Sequence, residues 1–191
     1  MLLVLDIDGL LVERTRKNQE EMKTISQYNT TELMIEYLQG YSVEFETKNY
    51  WIRTRKDVRK VLDTLFLHFE VAIWTSSRKH NAQEVLNFIL HPWEMEKLVF
   101  FWDREYVELD PDFNHEHPEI KEYDTIKSIN RIIYHPEVNA KRKWNVDNIR
   151  FVDNSENKLR FNPESTRIVL PNFNSSLEEW LCDFIQNLSS V

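Results

Sequence analysis

An apolar run at the start of the chain ends directly on two carboxylates, and this feature constrains the fold most. Residues 1–5, Met-Leu-Leu-Val-Leu, are followed by Asp6, Ile7, Asp8 and Gly9. Such a run is typical of a strand buried on both faces of a parallel sheet, and these sheets carry their sites at the carboxyl edge. Gly9 suits a turn that brings both carboxylates to one concave site. One acid can attack phosphorus, the other can exchange a proton with the leaving oxygen, and both can hold a hard cation. The alternative is an acidic loop that only caps a strand.

Three segments further along the chain supply polar groups in an informative order. They are 75–77 (Thr-Ser-Ser) after an apolar run at 71–74, Lys127 at the start of an apolar-spaced segment, and 153–155 (Asp-Asn-Ser) after an apolar run at 149–152. Hydroxyls can donate to a phosphoryl oxygen, an ammonium can neutralise charge, and a second acidic strand end can anchor a metal. The ordered set therefore indicates a magnesium-dependent phosphoryl transfer.

The same motifs resemble the haloacid-dehalogenase superfamily and, within it, the small C-terminal-domain phosphatase family, also called NLI-interacting-factor-like. The matching segments are Asp6-Ile-Asp8-Gly9-Leu10, Trp74-Thr75-Ser76-Ser77, Lys127-Ser128-Ile129, Val152-Asp153-Asn154-Ser155 and the flank Lys158–Pro163. The chain departs from the family pattern at Leu10, where the family carries a threonine. Because both aspartates remain, we expect Leu10 to reduce the activity rather than abolish it.

The resemblance implies a role for each matching residue. Asp6 is the expected nucleophile and Asp8 the expected acid and base, with Thr75 donating to the phosphoryl group and Lys127 orienting Asp6. Mg²⁺ is the expected cofactor, and its expected ligands are Asp6, the carbonyl of Asp8, Asp153 and Asn154. Arg55 and Ser76 are weaker candidates for substrate contact, and Lys121 is a reserve for Lys127.

The resemblance also implies the substrate class, which spacing alone does not show. A phosphorylated protein or peptide, hydrolysed at phosphoserine or phosphothreonine through an aspartyl-phosphate, is the expected substrate. Two alternatives stay open: a small-molecule or nucleotide phosphatase of the same superfamily, and a phosphatase-like binding module.

The alternation of apolar runs and helical spacings predicts a three-layer, Rossmann-like α/β fold with a mainly parallel central sheet. We expect a single domain over residues 1–191, with a small flap or insertion at 12–50 and a second insertion at 92–120. Within the flap, the first strand signal is the alternation at 41–45. A capping box at 54–57 predicts the start of a helix, and an amphipathic helix closes the chain from Leu177 to Leu188.

Composition restricts the function classes. A net charge of −8 argues against broad binding of nucleic acid or anionic membrane, because both need a basic footprint, although it allows a local basic mouth. Cys182 is the single cysteine, which excludes an internal disulfide, and its spacing suggests a structural position. His115 and His117 bracket Glu116 in a segment flanked by prolines, which suggests an exposed loop rather than a metal site. Without a leader or a membrane span, we expect a soluble, intracellular protein in the cytoplasm or nucleus.

Overall fold

A five-stranded sheet of parallel strands forms the centre of the computed structural model, which describes residues 1–19, 30–110, 125–170, 173, 179 and 181–182. In spatial order the strands are Arg167–Val169 (β10), Ile149–Asp153 (β9), Leu2–Leu5 (β1), Glu70–Trp74 (β5) and Phe101–Trp102 (β6). All neighbouring pairs are parallel. The strands predicted at 1–5, 71–74 and 149–152 are confirmed. They are the three middle strands, so their carboxyl ends meet at one edge of the sheet.

Helices cover both faces of this sheet. They are Thr30–Leu38 (α1), Val58–His68 (α2), Lys79–Ile89 (α3), Pro92–Lys97 (α4), Ile129–Ile133 (α5) and Glu156–Leu159 (α6). Leu3 and Leu5 join a core cluster with apolar residues of α2 and α3, whereas Leu2 and Val4 join a second cluster with residues of α5. Successive side chains of a strand point to opposite faces, so a strand apolar at every position is buried on both. The predicted three-layer α/β fold is confirmed.

The helix predicted after residue 57 is present, but its start is not a capping box. Apolar side chains at helical spacing, Val58, Val61, Leu62 and Leu65, are all buried in α2. Asp57 occupies the N-cap with a φ of 59°, in the left-handed region, and its side chain makes no capping hydrogen bond. Instead, the Asp57 carboxylate accepts a hydrogen bond from Lys60 at 2.7 Å. The burial of the apolar face, rather than a cap, therefore stabilises this helix.

A small antiparallel sheet follows the first strand; two of its strands lie within the expected flap, and the third begins at the end of that segment and extends beyond it. It consists of Val12–Arg16 (β2), Tyr50–Thr54 (β4) and Glu44–Glu46 (β3), in the order β2-β4-β3. The first strand signal was at 41–45, but strand β2 precedes it, and the strand at this signal, β3, begins only at Glu44. Strand β2 reads Val-Glu-Arg-Thr-Arg, and only Val12 is buried, so it carries no apolar alternation. Its conformation is determined by pairing with β4, a contact between distant parts of the chain.

The remaining elements flank the central sheet. Glu108–Leu109 (β7) pairs with Thr125–Ile126 (β8), which leads into Lys127. Strand β6 falls in the segment expected as a second insertion, yet it belongs to the central sheet; the division into one domain with two insertions stays a prediction. Cys182 is exposed, which does not support a buried structural role. His115, His117, Lys121 and most of the expected terminal helix lie outside the described residues. Within the described part, no helix has the length and apolar character needed to cross a bilayer.

Candidate active site

The carboxylate of Asp6 lies at the end of β1 between two ammonium groups. Its side chain is only 1% exposed. Lys158 donates to its Oδ2 at 2.8 Å, and the Nζ of Lys127 lies 3.2 Å from its Oδ1. Burial tends to raise the pKa of Asp6, but the charges of Lys127 and Lys158 outweigh burial and hold it below its ordinary value. Asp6 is therefore a carboxylate at neutral pH, as a nucleophile must be.

Lys127 is fully buried and connects the two acidic strand ends. Its Nζ donates to Oδ2 of Asp153, at the end of β9, at 2.6 Å. Asn162 holds the backbone of this segment, because its Nδ2 donates to the carbonyl of Lys127 and its Oδ1 accepts from the N–H of Ile129. Lys127 thus lies just before α5 rather than on its solvated face. The structure brings it together with Asp6, as the sequence predicts.

Lys158, on α6, is a site residue that the sequence analysis did not assign. Besides its bond to Asp6, its Nζ lies 3.6 Å from Oδ1 of Asp153. The pKa of Lys158 is raised, since the charges of Asp6 and Asp153 outweigh the effect of burial. Burial and the negative charge of Asp6 raise the pKa of Asp153 despite Lys127. The only sequence signal was the position of Lys158 in the segment directly after the last motif.

Asp8 lies in a different environment from Asp6. Its Oδ2 accepts hydrogen bonds from Arg14 and, at 2.7 Å, from the hydroxyl of Ser77. Its buried Oδ1 has no hydrogen-bond partner among the described residues. Burial raises the pKa of Asp8; the charge of Arg14 opposes this rise but does not cancel it. The two aspartates therefore differ in proton affinity in the direction that an acid and a nucleophile require.

Gly9 lets the loop between the two sheets pass close to the last motif. Its φ is +79°, and a Cβ at this position would lie 2.1 Å from Nδ2 of Asn154. No side chain fits without moving Asn154. The buried guanidinium of Arg55 donates to the carbonyl of Gly9 at 3.1 Å and lies 4.9 Å from the ring centroid of Phe173. Arg55 therefore supports the aspartate loop, and its expected contact with substrate stays a prediction.

The amide of Asn154 lies between two oxygens and can serve a metal. One end is 3.1 Å from Oδ1 of Asp153 and 3.1 Å from the carbonyl oxygen of Asp8. If the amide nitrogen occupies this end, it donates to Asp153 and to the carbonyl of Asp8. If the amide oxygen occupies it, three oxygens converge, and oxygens are the ligands that a hard cation prefers. The buried Oδ1 of Asp6 accepts no hydrogen bond from the described residues, although its ion-pair partner Lys127 lies 3.2 Å away. His, Cys, Asp and Glu side chains alone form no group of three suitable for a metal in this part of the chain. The amide and carbonyl oxygens complete a set that fits Mg²⁺.

The three hydroxyls after β5 have different partners, and the expected contacts of Thr75 and Ser76 with substrate stay predictions. Thr75 is buried, and its hydroxyl accepts from the backbone N–H of Ser77 at 3.2 Å. Ser76 is hydrogen-bonded to the hydroxyl of Thr125 at 2.8 Å. Ser77, rather than Ser76, contacts Asp8. The sequence showed the cluster of hydroxyls but not which of them faces the acid, and it did not identify Arg14 as the partner of Asp8.

Comparison with known proteins shows a matching family and a similar fold. Residues 1–191 match the family described as NLI interacting factor-like phosphatase. No curated protein gives a significant sequence match. The fold is similar to that of Fcp1, described as an essential RNA polymerase II CTD phosphatase, with a TM-score of 0.55 and 16% identity over 99% of this chain and 49% of that one. A variant of fission yeast Fcp1 bound to beryllium fluoride gives a TM-score of 0.53 and 14% identity, over 98% and 50% of the two chains. The chain thus spans about half the length of these structures, which show the haloacid-dehalogenase-like fold.

Proposed function

Because the chain belongs to the NLI interacting factor-like phosphatase family, we propose that it hydrolyses phosphoserine or phosphothreonine in protein substrates through an aspartyl-phosphate. One observation carries the proposal: Asp6 is held as a carboxylate between two lysines, while burial raises the pKa of Asp8 beside it. Paired carboxyl groups with opposite pKa shifts are suited to nucleophilic attack by one and proton transfer by the other.

In the first step, an oxygen of Asp6 attacks the phosphorus in line with the ester bond. The P–O bond to the serine or threonine breaks, and the departing oxygen takes the proton of Asp8. Lys127 and Lys158 hold Asp6 in place and offset the repulsion between its charge and the phosphoryl oxygens. The hydrogen bonds from Arg14 and Ser77 to Oδ2 fix the carboxyl of Asp8, which leaves its Oδ1 for the proton transfer.

In the second step, Asp8 acts as a base. It takes a proton from water, the water oxygen attacks the phosphorus of the acyl phosphate, and the bond to Asp6 breaks to release inorganic phosphate. The two steps return both aspartates to their starting protonation states. Asp6, Asn154, the carbonyl of Asp8 and the adjacent Asp153 would hold Mg²⁺, which when bound supplies positive charge to the phosphoryl oxygens.

The solved relatives support a phosphorylated protein as the substrate. Fcp1 is named as a phosphatase of the RNA polymerase II CTD. A protein substrate of this kind would place the present chain inside the cell, in the nucleus or cytoplasm. The acidic net charge also fits a partner other than nucleic acid or anionic membrane.

Phosphate release from a panel of phosphoserine and phosphothreonine peptides, measured with Mg²⁺ and after chelation, tests the proposal. We expect turnover that requires Mg²⁺ and vanishes in Asp6→Asn, which keeps the shape of the side chain but loses its charge. Beryllium fluoride should bind at the Asp6 carboxylate. Turnover of a chromogenic phosphate ester or nucleotides, but of no peptide, would indicate a small-molecule phosphatase. Peptide binding without phosphate release, at saturating Mg²⁺, would indicate a binding module.

A further inference from the structure

A basic pocket adjoins the two aspartates on the side of Asp8. Its volume is about 460 Å³, and it opens to solvent. Its charged lining, which we call the arginine pocket, consists of Arg14, Arg16, Arg78, Arg104 and His80. These residues come from strand β2, from the turn before α3, from α3 itself and from the turn after β6. Three parts of the chain that are distant in sequence therefore bring guanidinium groups to one cavity, and α3 adds the imidazole of His80.

The charge of this pocket is opposite to that of the protein. The chain carries a net charge of −8, yet no carboxylate lines the pocket in the described part of the structure. Arg16 and Arg78 are exposed, and neither forms an ion pair with another described residue. Arg14 pairs with Asp8, but Arg16 and Arg78 add positive charge that no described carboxylate lining the pocket offsets, which is typical of an anion-binding site.

The arginine pocket is continuous with the catalytic residues. Arg14 donates both to Asp8 and to the hydroxyl of Ser77, and Ser77 also lines the pocket. The guanidinium carbon of Arg14 lies 4.8 Å from the ring centroid of Tyr50, which fixes its direction. Asn81, about nine-tenths buried, also lines the pocket, and its Oδ1 has no hydrogen-bond partner among the described residues. A peptide whose leaving oxygen meets Asp8 therefore has its neighbouring residues beside a polar, basic cavity.

We propose that the arginine pocket binds a second phosphoryl group on the same peptide, so that the preferred substrates are peptides phosphorylated at two nearby positions. This inference rests on the proposed phosphatase function and names its substrate class. A phosphoryl group carries nearly two negative charges at neutral pH and has three acceptor oxygens. Each guanidinium can donate two parallel hydrogen bonds. Several guanidinium groups around one cavity therefore suit a phosphoryl group better than they suit a carboxylate, which has fewer oxygens and less charge.

The test compares kcat/KM for pairs of peptides that share one phosphoserine and differ by a second phosphate one to about four residues away on either side. Extended chain covers about 3.3 Å per residue, so this range samples the pocket. We expect at least one doubly phosphorylated peptide to be preferred about tenfold over its singly phosphorylated partner. A third peptide with glutamate at the second position should gain less.

Arg16→Gln and Arg78→Gln test the pocket without changing the residues that hold Asp6 and Asp8. Each should lower kcat/KM for the doubly phosphorylated peptide about twofold to fivefold, as expected for exposed charge pairs, and leave the singly phosphorylated peptide unchanged. The matched control is Arg142→Gln, which removes an exposed arginine in the segment before β9 and outside the pocket. The control should keep the full preference.

The outcomes separate the arginine pocket from the phosphatase function. Equal turnover of singly and doubly phosphorylated peptides by the wild type, or a preference that survives the Arg16→Gln, Arg78→Gln double variant, overturns the arginine pocket and leaves the phosphatase function intact. A small bisphosphate could also inhibit at a lower concentration than the doubly phosphorylated peptide does. That result would assign the pocket to a small molecule and overturn the inference. If the wild type hydrolyses no phosphopeptide at all, the proposed function itself fails.

Discussion

Replacing Lys158 by methionine tests the part of the site that the sequence analysis did not assign. The change keeps most of the side-chain volume and removes an ammonium that lies 2.8 Å from Asp6 and 3.6 Å from Asp153. The side chain of Lys158 is 21% exposed, so solvent screens these contacts only in part. Among the described residues, the buried Asp6 and Asp153 and the partly exposed Asp8 would then share only the positive charges of Lys127 and Arg14.

The expected effect follows from the lost charge-assisted hydrogen bond. Such a bond contributes about 1.5–3 kcal/mol. If the full amount acts on the transition state, kcat falls about tenfold to a hundredfold. Because Lys158 is one of two charges that hold the pKa of Asp6 down, the variant should raise that pKa and move the acid limb of the pH–rate profile to higher pH. The free energy of unfolding should fall by about 1–3 kcal/mol, because Asp6 loses a partner while staying buried.

Steady-state kinetics across pH, together with denaturant unfolding, measure both effects. Lys143→Met is a suitable control, because Lys143 also pairs with a carboxylate, that of Glu70, but both side chains are about half exposed and lie away from the aspartates. The control should leave kcat within twofold and stability within about 0.5 kcal/mol. A folded Lys158→Met variant with wild-type kcat and an unmoved acid limb would refute the assignment of Lys158 to the nucleophile.

Three further predictions concern the aspartate loop. Gly9→Ala should displace the side chain of Asn154 and raise the Mg²⁺ concentration needed for half-maximal activity, as measured by a Mg²⁺ titration. Asn154→Ala should give a similar shift in that titration without straining the backbone. Leu10→Thr should not simply restore activity: Leu10 is 1% exposed and belongs to the apolar core, so we expect a loss of about 2 kcal/mol in unfolding free energy, which a melting curve would reveal. The rate of the first step should fall as pH rises through the pKa of Asp8, because Asp8 must be protonated to donate to the leaving oxygen; burial places this pKa above the ordinary value of about 4. Rapid-mixing measurements of leaving-group release test this, and a release rate that does not fall with rising pH would contradict it.

Much of the site was predictable because its motifs are local signals. Asp6, Thr75 and Asp153 each stand at the end of an apolar strand, and parallel strands in one sheet place these ends together. Lys127 was predictable from its place in the motif order. None of these predictions required a long-range contact to be known in advance, since the hydrophobic pattern shows both the strand and its last residue.

Strand β2 and the partners of the aspartates were not predictable in this way. Val12 is the only buried residue of β2, and the strand forms because β4 supplies hydrogen bonds from residues 50–54. Lys158 is 152 positions from Asp6, and Ser77 is 69 positions from Asp8. A surface lysine and a strand-end serine have the same local patterns whether or not a carboxylate lies opposite them.

The sequence alone determined the layered α/β architecture, the edge where the acids meet and the kinds of group available there, because burial on both faces of a strand leaves its record in consecutive residues. Only the tertiary structure decided that Lys158 and Lys127 together keep Asp6 ionised, that Arg14 and Ser77 hold Asp8, and that a basic pocket adjoins them. The reason is physical: a pKa and a pocket depend on distances and burial, which arise when residues far apart in the chain pack together.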